Sequence, residues 1–280
     1  MAIIPIFFSD SVVAIGCRKN NGEISWKATG FVVGELNDER RYNLFLVSNK
    51  HVLDHGYKKI VVRFNVVGGV EAKDYDIELI SDAGEKLFSV HPQAGVDVAC
   101  LMINPHVLEK DVGDVNAFFL DKHALTREAM VENEVVEGSL VYSLGFPSGL
   151  VGLHSKSPLC RIGCISRIAE SYGDEGYLID IQNFPGGSGS PIINKLDNSF
   201  LKGTTNYNKT ALIGILSAYI PYQDILVSQQ TGENMQITRE NSGIAIAYTV
   251  NAIKQTIERE FERVKSIEEK NNPGHDETAA

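Results

Sequence analysis

The sequence predicts an all-β fold that ends in a C-terminal α-helix. Short runs rich in β-branched and aromatic residues, divided by turn residues, fill the chain from about residue 10 to 250. That spacing reads as barrels or sandwiches. Over residues 249–270 the apolar period becomes helical: Val250, Ile253, Ile257, Phe261, Val264 and Ile267 recur among Glu, Lys and Arg. The 280 residues, 43% apolar and 22% charged, suffice for a two-lobed core and are ordinary for a globular protein.

Taken in order, residues 1–10 are apolar but short, with no basic lead and no small-residue cleavage site. A first β-strand is expected there rather than a signal peptide. Further strands are expected at 12–17, 29–34, 44–48, 59–67, 98–103, 139–144, 163–168, 177–182, 211–218 and 244–249, where Val, Ile, Phe, Tyr and Thr cluster. The polar stretch 110–133 links two halves, with a helical turn or two over 122–132. The longest loops fall at 196–209 and 221–242, as gates or specificity loops or as plain surface insertions. The amphipathic helix is expected to pack on the second half, a dimer or partner contact being the alternative. Residues 271–280 read as a disordered tail.

The net charge of −10 argues against a nonspecific nucleic-acid partner and against an acidic membrane surface. No apolar stretch reaches the length of a membrane span. Four cysteines (Cys17, Cys100, Cys160, Cys164) are too few for a disulfide-built fold of this size. They are read as reduced thiols of a cytoplasmic protein. His51 and His55 have a metal-pair spacing, but no third ligand stands at a metalloprotease position, so neither a metal nor any other cofactor is expected.

The chemistry concentrates in Phe184-Pro185-Gly186-Gly187-Ser188-Gly189-Ser190-Pro191. Glycines let such a backbone turn tightly and aim its amides at one point. A nucleophilic serine needs an exposed hydroxyl with N–H groups nearby to receive the charge that develops on an attacked carbonyl. It also needs a histidine base oriented by a carboxylate. His51 follows the apolar run 43–50, at the mouth of a strand that can hold it rigidly. Asp97 stands at the start of the apolar run 98–103, where a buried unpaired carboxylate would cost several kcal/mol. A histidine N–H is a suitable partner. Asp74 and Asp76 sit in polar surroundings and are poorer candidates. The order His51, Asp97, Ser188 is one of the chain orders that serine triads use.

On these residues the chain resembles the trypsin-like serine proteases. Ala28-Thr29-Gly30-Phe31-Val32-Val33 with Leu46-Val47-Ser48-Asn49-Lys50-His51 resembles their first-barrel signature, Val96-Asp97-Val98-Ala99 their aspartate segment, and Gly186 to Pro191 their nucleophile motif. Leu212 to Ser217 and Gly243 to Tyr248 resemble the strands that follow. Tyr142 to Leu150 and Arg161 to Ser166 are closest to the protease domain of HtrA-type bacterial enzymes, here without the PDZ domain of the full-length members. The resemblance implies a chymotrypsin-like fold of two six-stranded antiparallel β-barrels with a C-terminal α-helix. The first barrel, 1–115, would carry His51 and Asp97. A connection follows at 116–135, then the second barrel, 136–250, with Ser188, the helix 251–270 and the tail 271–280.

It also implies roles. Ser188 is the nucleophile, His51 the base and Asp97 its orienter, with an oxyanion hole at Gly186, Gly187 and Ser188 whose donors are the amides of Gly186 and Ser188. The substrate-binding residues would be Gln182, Asn183, Ser217, Ala218, Tyr219 and Gly243. Gln182 stands where trypsin-type enzymes place the acid that recognises Lys or Arg, so a neutral P1 residue is expected, small or medium and aliphatic. Gly187 replaces the aspartate that pairs with a new N-terminus after zymogen cleavage. Activation without cleavage is therefore expected, with a pliable oxyanion loop open to selection by substrate or by an activating protein partner. The expected activity is that of a serine endopeptidase acting on protein or peptide substrates. The rivals are a catalytically silent binding or scaffold protein on the same fold, and an esterase-like serine hydrolase.

Overall fold

A computed structural model describes residues 4–37, 41–65, 72–104, 108, 115–152, 157–168, 175–195 and 209–271. The expected tail and most of the 196–209 loop lie outside these residues.

A short helix, α1 (Ile6–Asp10), replaces the strand expected at the N-terminus. Pro5 precedes it, Phe8 is buried, and the Ser11 N–H and hydroxyl both donate to the Phe7 carbonyl. Local capping and one aromatic anchor therefore outweigh the β-propensity of the run. The first half continues as β1 (Val12–Arg18), β2 (Ile24–Leu36), β3 (Tyr42–Ser48), α2 (Lys50–Leu53), β4 (Lys59–Asn65), β5 (Ala72–Glu78), β6 (Ser89–Val90), β7 (Ala99–Ile103) and β8 (Phe118–Phe119). These strands form one curled sheet in the order β5-β4-β1-β2-β3-β7-β6, with β8 paired to β2. The sheet wraps a core that includes Val13, Ile15, Val32, Leu46, Val62, Phe64 and Leu101.

The expected first barrel is thus a curled open sheet among the described residues. Closing it would require β5 to pair with β6. β5 carries little buried surface and β6 is only two residues long, so neither offers a full edge.

Two short helices, α3 (Leu120–His123) and α4 (Arg127–Glu132), make the connection. Thr126 caps α4, its hydroxyl oxygen accepting from the Ala129 N–H. The second half contains β9 (Leu140–Gly145), a 3₁₀ turn (Pro147–Gly149), β10 (Leu159–Arg167), β11 (Gly176–Asp180), β12 (Pro191–Asn194), β13 (Leu212–Val227) and β14 (Asn234–Thr249). It closes as a six-stranded antiparallel barrel in the order β10-β11-β14-β13-β12-β9. Ile165, Tyr177, Ile179, Ile192 and Ile213 are among its filling. Residues 221–242, expected as a loop, instead extend β13 and β14 into a two-stranded arm.

The C-terminal helix, α5 (Val250–Asn271), starts directly at the end of β14. It was expected on the second half, yet it runs back across the first. Met102 N–H donates to Glu260 Oε1 at 3.1 Å, Arg263 donates to the Leu87 carbonyl, and His91 Nε2 meets Gln255 Oε1 at 2.7 Å. Val250, Ile253 and Ile257 share one core cluster with Phe45, Val98, Leu144 and Ile215, which come from both halves.

Candidate active site

The site lies where β3, the approach to β7 and the β11–β12 connection meet. His51 is the second residue of α2, directly after β3. Its Nδ1 lies 2.6 Å from Asp97 Oδ2, and its backbone N–H donates to Asp97 Oδ1 at 2.9 Å. Asp97 takes a third hydrogen bond, from the Ser217 hydroxyl at 2.5 Å. Its own carbonyl accepts from Asn49 Nδ2 at 2.8 Å, and Tyr248 donates to the adjacent Gly95 carbonyl. Burial, and after it the Asp97 charge, pushes the Tyr248 phenol up, which keeps it a neutral donor. A carboxylate so surrounded fixes the imidazole with Nδ1–H toward Asp97 and Nε2 free to take a proton. The His51 side chain is about half exposed and lines the open cleft.

Ser188 lies in the turn between β11 and β12. Its hydroxyl donates to the Ser217 carbonyl at 3.0 Å. No hydrogen bond joins it to His51 among the described residues. Four of the hydrogen bonds that hold the loop around it set its orientation. The Pro185 carbonyl accepts from Ser148 N–H at 2.6 Å, and the Gly186 carbonyl from the Thr29 hydroxyl at 2.8 Å. The Ser188 carbonyl accepts from Thr29 N–H at 3.0 Å, and Gly187 N–H donates to the Phe184 carbonyl at 2.8 Å.

The two carbonyls at Pro185 and Gly186 therefore point away from the cleft. A peptide plane directs its N–H opposite to its carbonyl, so the Gly186 N–H faces the cleft. Among the described residues, neither Gly186 N–H nor Ser188 N–H donates to a protein acceptor. Gly187 is expected as part of an oxyanion hole, but its amide is spent inside the turn, on the Phe184 carbonyl.

The glycines of the turn are required for different reasons. Gly186 (φ +94°) and Gly189 (φ +86°) occupy left-handed backbone, and a side chain on either would strike neighbouring backbone, the Phe146 and Thr29 carbonyls respectively. Gly187 has ordinary dihedrals. There a Cβ would lie 2.5 Å from Asn183 Oδ1 and 3.1 Å from the Phe184 carbonyl. Space, rather than conformation, disfavours a side chain before Ser188.

A cleft of about 320 Å³ opens beside these groups, lined by Ser188, Gly186, His51, Cys17, Lys27 and Tyr57, among others. Burial holds the Cys17 thiol above its usual range despite its hydrogen bond to Tyr57 and the charge of Lys27, so it stays protonated. None of the expected substrate-binding residues lines this cleft. Gln182 and Asn183 line a crevice of about 10 Å³ on the far side of the loop, with Gly187, Phe184 and Arg161. That is room for one water. Gln182 is exposed, while Asn183 is buried and donates to the Ser217 carbonyl at 3.1 Å. Ser217 is buried against Asp97, and Ala218 and Tyr219 are exposed where β13 leaves the barrel. Gly243 accepts from Ile181 N–H through its carbonyl.

Thr29 appeared in the sequence only as part of a motif, and Asn49, Ser148 and Tyr248 carried no signal of their own. Their roles come from contacts between distant segments. Among the described residues, no group of three His, Cys, Asp or Glu side chains could hold a metal ion. No helix there is long and apolar enough to cross a membrane.

A closed antiparallel barrel set against a curled sheet, with a histidine, an aspartate and a serine gathered at their junction, defines a protein of the serine-peptidase type. The chain belongs to the trypsin-like peptidase domain family, whose model matches residues 28–201, more than half of its length. No protein of curated function matches it.

Proposed function

We propose that the chain is a serine endopeptidase whose triad is His51, Asp97 and Ser188. The observation that carries this is the 2.6 Å contact of His51 Nδ1 with Asp97, in a cleft that Ser188 also lines. In this reading the Ser188 side chain turns from the Ser217 carbonyl toward His51 Nε2. Oγ attacks the scissile carbonyl as its proton passes to Nε2, and the oxyanion is received by the amides of Gly186 and Ser188. His51 then delivers the proton to the leaving amine. Water, deprotonated by the same imidazole, hydrolyses the acyl-enzyme and restores Ser188. Removing one such oxyanion donor costs about 3 kcal/mol of transition-state stabilisation.

Finer features belong to the same proposal. The preference for a neutral P1 residue rests on the resemblance, which sets the uncharged Gln182 where trypsin-type enzymes place an acid; Gln182 does not line the cleft beside Ser188. The crowding at Gly187 disfavours the aspartate of a cleavage-activated zymogen. The four hydrogen bonds around the loop favour a hole already open in the free enzyme, which narrows what an activating partner would have to do. HtrA-type kinship rests on the resemblance of Tyr142 to Leu150 and Arg161 to Ser166 alone. Four free thiols favour a reducing, cytoplasmic setting. The silent-scaffold reading has one observation in its favour, the Ser188 hydroxyl spent on Ser217. A fluorophosphonate probe separates the two. The intact chain is expected to be labelled and the Ser188→Ala variant to remain unlabelled; an unlabelled intact chain would sink the enzyme. Matched peptide and ester substrates then distinguish a peptidase from an esterase.

A further inference from the structure

Beyond Tyr219, β13 pairs only with β14, and before Gly243, β14 pairs only with β13. The two strands leave the barrel as a ribbon with both outer edges open among the described residues. Its base is anchored: Asn241 Nδ2 donates to the Asn183 carbonyl at 2.6 Å, and the Ser242 hydroxyl to the Ile220 carbonyl at 2.5 Å. Its outer part exposes several large apolar side chains. Ile225 lies opposite Ile237, both 51% exposed, with Val227 (48%) and Met235 (67%) beside them. Leu226 (63%) and Tyr222 (56%) project from the other face near Asp224 and Glu240.

We propose that this arm docks the part of the substrate N-terminal to the scissile bond, as an extended, apolar and basic segment of an unfolded polypeptide. The proposal rests on the endopeptidase reading, in which the chain ahead of the scissile bond lies along Ser217–Tyr219. Ser217 touches Ser188, and β13 continues from Ser217 to Val227 without leaving the strand. A substrate paired with the first residues of that edge is therefore led onto the arm.

A two-stranded ribbon is marginal in water, and a third strand completes its hydrogen bonding. Open edges with apolar side chains recognise extended backbone rather than a helix. The arm carries Asp224, Glu233 and Glu240 against Arg239, a balance of −2 that favours basic partners. A second copy of the chain fits less well. It would bring the same −2 arm and a net charge of −10 against its like. The apolar tip is also far smaller than the ~20–30 residues a side of a stable interface.

The test uses the full chain carrying Ser188→Ala, incubated with reduced, carboxymethylated lactalbumin and followed by amide hydrogen exchange. Residues 219–227 are expected to gain protection; unchanged exchange there overturns the proposal. In the active chain, Ile225→Ser with Ile237→Ser should raise KM for the unfolded protein about tenfold and leave cleavage of a tripeptide anilide within twofold. Equal KM values would overturn it. So would sedimentation showing that the parent chain dimerises through the arm. An apolar decapeptide containing Lys should compete at least tenfold better than its Glu counterpart, and the reverse order counts against the arm. Fluorophosphonate labelling of the intact chain reads the endopeptidase assignment separately.

Discussion

Thr29 joins the two halves at the turn that carries Ser188. Its hydroxyl donates to the Gly186 carbonyl and accepts from Phe146 N–H, and its own N–H holds the Ser188 carbonyl. Thr29→Val keeps the shape but leaves a buried carbonyl and a buried N–H without partners, at roughly 1–3 kcal/mol. If the released Gly186 carbonyl turns toward the cleft, its negative end opposes the oxyanion of the proposed mechanism. The expected result is a fall of about tenfold or more in kcat with little change in KM, as ~1.4 kcal/mol is a factor of ten. Thr29→Ser should restore most of it, whereas a purely structural role would lower the folded fraction and leave kcat per folded molecule unchanged. Gly187→Ala places a methyl against Asn183 Oδ1 and is expected to slow fluorophosphonate labelling without abolishing folding. Equal labelling rates would refute the steric account of that glycine.

Two elements hold ionisable groups whose environment sets stability. On α5, Glu260 is fully buried, paired with Arg263 at 2.7 Å and accepting from Met102 N–H. Glu260→Ala leaves the Met102 amide without its acceptor and takes the carboxylate from Arg263, which keeps the Leu87 carbonyl. Breaking a buried pair costs about 3–5 kcal/mol, which should appear as a fall in Tm on the order of 10 °C. On α3, His123 packs against Phe7, Phe8 and Phe119, and its Nδ1 accepts from Phe119 N–H. Burial lowers its pKa from the ordinary 6.5, with Asp121 pulling weakly the other way. The unfolded chain therefore takes up this proton first. The stabilisation is complete above about pH 6.5 and is lost as pH falls through the depressed value. Thermal melts of His123→Gln should show a flatter acid limb than the parent; parallel limbs would exclude His123 as a source.

At the scale of the whole molecule, the two halves share one core. Phe8, Phe31 and Val98 from the first half, Leu144 and Ile215 from the second, and Val250 and Ile257 from α5 belong to a single cluster. The expected behaviour is one calorimetric transition with equal van't Hoff and calorimetric enthalpies. Truncation before Val250 should unfold the curled sheet as well as the barrel, since α5 covers β6 and β7 of the first half. Two resolved transitions would show that the halves are independent.

What the sequence determined by itself was what short-range pattern encodes. The strands over 12–17, 44–48 and 244–249 were legible because β-branched residues cluster there, and α5 because its apolar period is helical over six turns. His51, Asp97 and Ser188 were legible because each breaks its local pattern: an imidazole ending an apolar strand, a carboxylate opening one, a hydroxyl among glycines. Only the tertiary structure decided where those pieces meet. Thr29 reaches Gly186 across 157 residues and Ser217 reaches Asp97 across 120. No local propensity records such pairs. The open first sheet, the return of α5 across it, the spent amide of Gly187 and the arm built from an expected loop all depend on hydrogen bonds and apolar contacts between segments distant in the chain. Their partners are chosen by packing rather than by neighbouring residues.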